Sequence, residues 1–206
     1  MKIEINIKLV FLIIILFLIN NVNTYLIFFV SILLHELSHL IIGIIIGKIP
    51  QKMNVSIFGV SLEFYSYSKN KILNKCIFYI IGPITNLIIA YIFYYFLNQK
   101  KFSKEIIITN ILLFVFNMLP ILPLDGGKIL REILCELFGV CKGNKISIEI
   151  TKLILIVISL SYSVLILKVK NISILFLIIY LWYLYVIENK KYMLYLKTKE
   201  CIENII

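Results

Sequence analysis

Long apolar runs alternate along the chain with short connections rich in lysine. A bilayer core about 30 Å thick is crossed by roughly 20 apolar residues of α-helix. Six runs approach that length, over residues 9–19, 25–46, 76–97, 106–122, 153–167 and 172–187. The first and the fifth are short, and a run of about 10–15 apolar residues also suits a buried or re-entrant segment. The longest polar connection follows the second run, and within it residues 55–64 partly alternate polar and apolar positions. A period of two marks a short strand or hairpin, and an interfacial loop fits the same stretch. The expected fold is an all-α polytopic membrane protein of about six transmembrane helices, with a short β-hairpin or re-entrant loop after the second. The basic and apolar N-terminal stretch is followed by Asn20, Asn21, Val22 and Asn23 rather than a small-residue cleavage site, so it is expected to be retained.

Composition agrees with this pattern. Of 206 residues, 61% are hydrophobic and 16% charged, and the mean hydropathy is +1.00. A soluble domain holds about 45–50% apolar and about 25% charged residues, so a soluble globule is not expected, and disorder is ruled out more firmly. The net charge of +10 is explained by where the basic residues fall. The N-terminus, the second and fourth connections and the C-terminal tail carry 2, 5, 5 and 4 Lys or Arg, and the first, third and fifth connections carry 0, 3 and 2. An excess of 16 against 5 marks the cytoplasmic side, which places both termini there. Nucleic-acid binding would gather basic residues on one soluble face with aromatics between them. Here they punctuate the ends of apolar runs, and no nucleic-acid partner is expected. Cys76, Cys135, Cys141 and Cys201 form no C-x-x-C pair and fall near the cytoplasmic side, where reduced structural thiols are the default. Residues 1–190 read as one membrane core and 191–206 as a short cytoplasmic tail.

Ionisable groups inside a span are costly and point to function. Two places qualify. One is His35-Glu36-Leu37-Ser38-His39 within the second run, which holds the only two histidines of the chain. The other is Asp125, the only aspartate, just after the fourth run. Residues i and i+4 of a helix share one face, so both imidazoles can reach one metal ion while Glu36 stands beside its open position. That is the zinc-hydrolase arrangement, two His ligands and a carboxylate that takes a proton from water. A single acid at mid-span costs roughly 2.5–3.5 kcal/mol on the insertion scale, which a bound dication offsets.

With no third histidine, a catalytic zinc needs a carboxylate or a thiolate as its third protein ligand. Asp125 follows Pro120 and Pro123 and precedes Gly126 and Gly127, a broken-helix context tolerated at membrane depth only where it is buried in protein or lines a wet cavity. That context suits a ligand-bearing loop, and a plain helix-end turn fits it as well. Depth favours convergence: at about 1.5 Å per residue, His39 lies roughly 10 Å from the cytoplasmic end of its span, and Asp125 is near the same end of the fourth.

These residues resemble the site-2 protease family of intramembrane zinc metalloproteases. The H-E-x-x-H of His35 to His39 and the N-x-x-P-x-x-P-x-D-G-G of Asn117 to Gly127 are similar to that family's paired signature, and Gly82-Pro83-Ile84-Thr85-Asn86 is similar to its G-P-x-x-N element. Residues 123–130 resemble the branch that includes stage IV sporulation protein FB, which removes the pro-sequence of a membrane-tethered sigma factor. The resemblance implies one zinc per chain held by His35, His39 and Asp125, with Glu36 as general base. It implies that Asn117 positions substrate or the oxyanion, and that residues 55–64 bind extended substrate as an added strand. Pairing a strand edge would supply the backbone hydrogen bonds that an unwound substrate loses. Partners implied are a membrane-tethered protein substrate such as a pro-sigma factor, inhibitory membrane proteins and the lipid bilayer, with an oligomer open. The implied location is the bacterial cell membrane or the membrane around a forespore. No connection is long enough for a PDZ domain and the tail has no room for the branch's CBS domain, which leaves regulation by nucleotide open.

Other readings compete for the same residues. Aspartyl intramembrane proteases need two aspartates, and this chain has one. Anti-sigma factors or signal-peptide remnants are alternative substrates for the same chemistry. A prenyl-protein endoprotease with H-E-x-x-H would take Glu132 or Glu136, i and i+4 on one segment, as third ligand. A non-enzymatic zinc-binding membrane subunit would be expected to show more intramembrane polar sites or inverted repeats.

Overall fold

The computed structural model describes residues 2–5, 22–47, 50–56, 59–64, 72–97, 101–169 and 172–203. The expected first span, 9–19, lies outside them. The described elements are strand β1 (Lys2–Ile5), helix α1 (Val22–Ile45), strands β2 (Pro50–Ser56) and β3 (Gly59–Phe64), and helices α2 (Ile72–Leu97), α3 (Lys101–Asn117), α4 (Asp125–Phe138), α5 (Val140–Val169) and α6 (Ile172–Glu203). They fall into two compact units, Met1–Met118 and Leu119–Ile206.

In the first unit, α1, α2 and α3 pack against one another. The buried face of α1 is a strict every-fourth stripe of Ile27, Ser31, His35, His39 and Gly43. That of α2 is the row Phe78, Gly82, Asn86 and Ala90, with Pro83 buried beside it. Rows spaced by four are the ridges along which helices commonly interlock, and small side chains in them let backbones approach closely in a membrane. On α3 the buried positions are Ser103, Ile106, Asn110 and Leu113. Asn110 donates from Nδ2 to Ser31 Oγ at 3.0 Å, tying α3 to α1. Large apolar side chains such as Leu26, Ile41, Ile44, Leu73, Tyr91, Tyr95 and Phe96 are exposed on α1 and α2, as expected of surfaces that face lipid. The strands form one sheet in the order β1-β2-β3, β1 parallel to β2 and β2 antiparallel to β3, with a register shift between Pro50 and Lys52.

In the second unit α5 packs against both α4 and α6. Trp182 Nε1 donates to Ser159 Oγ at 3.0 Å between α6 and α5. Three described helices are long and apolar enough to cross a membrane: Thr24–Ile45, Ile72–Phe96 and Val140–Ser163. The element ends differ from expectation in ways with local causes. Helix α3 stops at Asn117, not at residue 122, because Pro120 disfavours helical geometry at Leu119. Helix α5 begins at Val140, well before residue 153, because its polar first half does not break it. Ser147 and Thr151 turn their hydroxyls back onto the carbonyls of Asn144 and Ser147. Helix α6 runs on to Glu203 through much of the expected tail, with Glu188 paired to Lys191 and Arg131. The stretch after Asp125, expected as a connection between spans, is the amphipathic helix α4.

Candidate metal centre

In the first unit, the i, i+4 spacing of His35 and His39 puts both imidazoles on the buried stripe of α1, each 5% exposed. Their rings lie edge to face with centroids 4.9 Å apart, and the two Nε2 atoms are 3.3 Å apart. His39 Nδ1 lies 2.7 Å from the Phe78 carbonyl of α2. A carbonyl can only accept, so Nδ1 carries the proton and, in the neutral ring, Nε2 presents a lone pair. A carbonyl behind the distal nitrogen is the usual device that fixes a metal-ligating histidine. Ser38 Oγ donates to the His35 carbonyl at 2.6 Å. Glu36 lies half-buried on the same helix turn.

The two rings have this room because residue 82 is glycine. A Cβ there would come within 2.6 Å of both Cε1 and Nε2 of His35, and would also collide with Nε2 of His39. The α2 backbone therefore lies directly against the imidazoles. Their spacing also fits a metal. Zinc–nitrogen bonds of about 2.0–2.1 Å at a tetrahedral angle set two nitrogen ligands about 3.3 Å apart. A direct N–H hydrogen bond would prefer about 2.7–3.2 Å. The donor set, two buried imidazoles with one distal nitrogen anchored, thus fits zinc. Asn117 ends α3 half-buried, and its Nδ2 donates to the Leu113 carbonyl of its own helix at 3.1 Å.

In the second unit, Asp125 opens α4 with 4% exposure. The loop before it is braced from within. Ile121 N–H bonds the Leu119 carbonyl and Leu124 N–H bonds the Ile121 carbonyl, each at 2.8 Å. Leu122 N–H donates to Thr151 Oγ at 3.1 Å, and that hydroxyl donates onward to Ser147. Ile121, Leu122 and Thr151 are all buried. A Cβ at Gly127 would strike the Ile121 backbone, so the first turn of α4 is seated on the loop. The helix N-terminus favours the Asp125 carboxylate, and Lys128 Nζ lies 3.1 Å from its Oδ1. Of the three carboxylates weighed as a third ligand, Asp125 is buried, Glu132 half-buried and Glu136 exposed. Sequence reasoning missed the Phe78 carbonyl, the steric role of Gly82 and the brace from Thr151. Only Gly82 left a signal, as part of a named motif.

Residues 98–161 match the profile of Peptidase family M50. The chain is 31% identical over 138 residues to zinc metalloprotease MJ0392 of Methanocaldococcus jannaschii, a match that covers 65% of this chain and 40% of that protein. It thus spans about two-fifths of that relative's length. Among solved structures it is similar to the site-2 protease from Methanocaldococcus jannaschii, with a TM-score of 0.68 and 26% identity over 90% of this chain and 89% of that one.

Proposed function

We propose that this chain belongs to peptidase family M50, the site-2 protease family, and that it is an intramembrane zinc metalloendopeptidase. The observation that carries this reading is the pair of buried imidazole Nε2 atoms held 3.3 Å apart, with His39 anchored through Nδ1 on the Phe78 carbonyl. His35, His39 and Asp125 would hold the metal. Zinc, when bound, supplies Lewis-acid polarisation of the scissile carbonyl and acidifies the attacking water.

The chain's own residues do the rest. Glu36 accepts the proton of the attacking water and returns it to the leaving amine. Burial of both histidines keeps their Nε2 atoms out of competition with bulk water. The Phe78 carbonyl prevents the His39 ring from turning its protonated edge toward the metal. Asn117 at the end of α3 is the residue assigned to hold the substrate or the developing oxyanion, and releasing its helix carbonyl would free both Nδ2 protons for that purpose. The outer edge of β3 is the surface assigned to extended substrate, by strand addition.

The distribution of basic residues supports cytoplasmic termini and a cut near the cytoplasmic face. The finer reading is removal of a pro-sequence from a membrane-tethered sigma factor, and its support is the likeness of residues 123–130 to the sporulation branch. Co-expression with a membrane-tethered pro-sigma factor tests the class and the branch. Glu36→Gln is expected to keep the fold and one zinc per chain while cleavage falls to background. Undiminished cleavage by this variant would refute Glu36 as the base.

A further inference from the structure

Asn86 is the next position after Gly82 on the buried stripe of α2, one turn or about 6 Å further along the helix axis. It is fully buried. Among the described residues, neither its Nδ2 nor its Oδ1 has a hydrogen-bond partner. Its neighbourhood makes this unusual. Helices α1 and α2 run antiparallel, since His39 meets Phe78 and both histidines meet Gly82. Moving one turn along α2 from Gly82 therefore moves one turn back along α1, to the level of Ser31 and His35. At that level Asn110 shows what a structural asparagine does here: its Nδ2 donates to Ser31 Oγ and to the Ile106 carbonyl, and only its Oδ1 is left without a hydrogen-bond partner among the described residues. Asn86 does neither.

A buried amide with no partner lowers the stability of the resting protein, and leucine of similar size would pack there at no such cost. Retaining an amide at that place is accounted for by a ligand that pairs with it. A primary amide offers one carbonyl acceptor and N–H donors, the complement of a single peptide unit. A peptidase working in a bilayer must unwind its substrate, which strips a peptide N–H and C=O of their helical partners where no water replaces them.

We infer that Asn86 is a substrate-binding residue, whose amide pairs with one backbone peptide unit of the unwound substrate about one turn from the metal-binding histidines. The inference rests on the metalloprotease reading, and it adds a specific contact on α2 to the strand edge and to Asn117. The resting state carries the unpaired amide, and substrate entry between the helices satisfies it. Binding energy is thereby tied to an extended peptide rather than to side-chain identity.

The test uses the full chain in proteoliposomes, with a fluorescent membrane-tethered peptide and a series of analogues in which one backbone amide at a time is an ester. Affinity is measured in the Glu36→Gln background, so that binding is read without turnover, and cleavage by the parent chain checks the protease reading separately. Asn86→Leu is expected to keep one zinc, to melt at the same or a higher temperature than its parent, and to bind the peptide roughly tenfold more weakly, the loss of about one hydrogen bond. One ester position should weaken binding to the parent and have no further effect on Asn86→Leu. A fall in melting temperature with unchanged affinity, or an identical ester profile in both proteins, would overturn the assignment and make Asn86 a packing residue.

Discussion

Adding one methyl group at Gly82 should separate metal binding from folding. The Cβ introduced by Gly82→Ala would stand 2.6 Å from His35 Nε2, where ordinary contact begins at 3.4 Å, so that ring must retreat by about the difference of 0.8 Å. His39 is pressed harder still and has less freedom, because its Nδ1 is held by the Phe78 carbonyl on the same helix as the new methyl. The two rings would be driven apart at the nitrogens that should share one ion. Functional constellations tolerate about 0.5 Å of error, and a 1 Å misplacement can cost about a hundredfold in rate. The same substitution favours the helix itself, since alanine is better than glycine at a helix-interior position by about 0.5–1 kcal/mol. Gly82→Ala is therefore expected to retain helicity and metal-free melting temperature while losing zinc affinity and at least a hundredfold in kcat/KM. Competition with a zinc-binding dye, circular dichroism and a cleavage assay on the same preparations would show this. Stoichiometric zinc at parental affinity with full cleavage would refute the claim that α2 is seated on the imidazoles.

Two further sets of substitutions address the second unit. Thr151→Val removes the acceptor of the Leu122 N–H and leaves that buried donor unpaired, at about 1–3 kcal/mol. It should weaken zinc binding by loosening the loop ahead of Asp125, with Thr151→Ser restoring it, as measured by chelator-driven zinc release. Asp125→Asn should lower the zinc content of purified protein well below one per chain, whereas Glu132→Gln and Glu136→Gln should leave it unchanged. Elemental analysis of the three variants decides among the three candidate third ligands.

The pairing of His35 and His39 on one face of α1 was legible because it depends on spacing alone: an i, i+4 pair with an acid beside it reads the same whatever packs against it. The loop ahead of Asp125 was legible for a similar reason, since Pro120, Pro123 and the paired glycines dictate local backbone. Features that depend on a partner helix were not. Gly82 reads as a flexible position until the imidazoles are seen against it, and Asn86 and Asn110 look alike until one is found bonded and the other not. The early start of α5 was hidden because a hydropathy window averages over Ser147 and Thr151, whose hydroxyls are absorbed by carbonyls of their own helix. Helix α4 was masked by its charges. Lys128, Arg131, Glu132 and Glu136 make it read as a connection, while its other face is apolar.

The stripe of α1 is not a straight line. Four residues of an α-helix turn through about 400°, so each step from Ile27 to Ser31, His35, His39 and Gly43 advances about 40° around the axis, and the whole stripe winds through about 160°. One row of residues thus changes neighbours as it descends, meeting Asn110 of α3 at Ser31 and the backbone of α2 at His35 and His39. The histidines sit at the handover, and the rotational setting of α1 against α3 fixes the direction in which both rings face. A single residue gained or lost between Ser31 and His35 would swing them by about 100°, which makes the length of that segment, more than its composition, the quantity on which the metal centre depends.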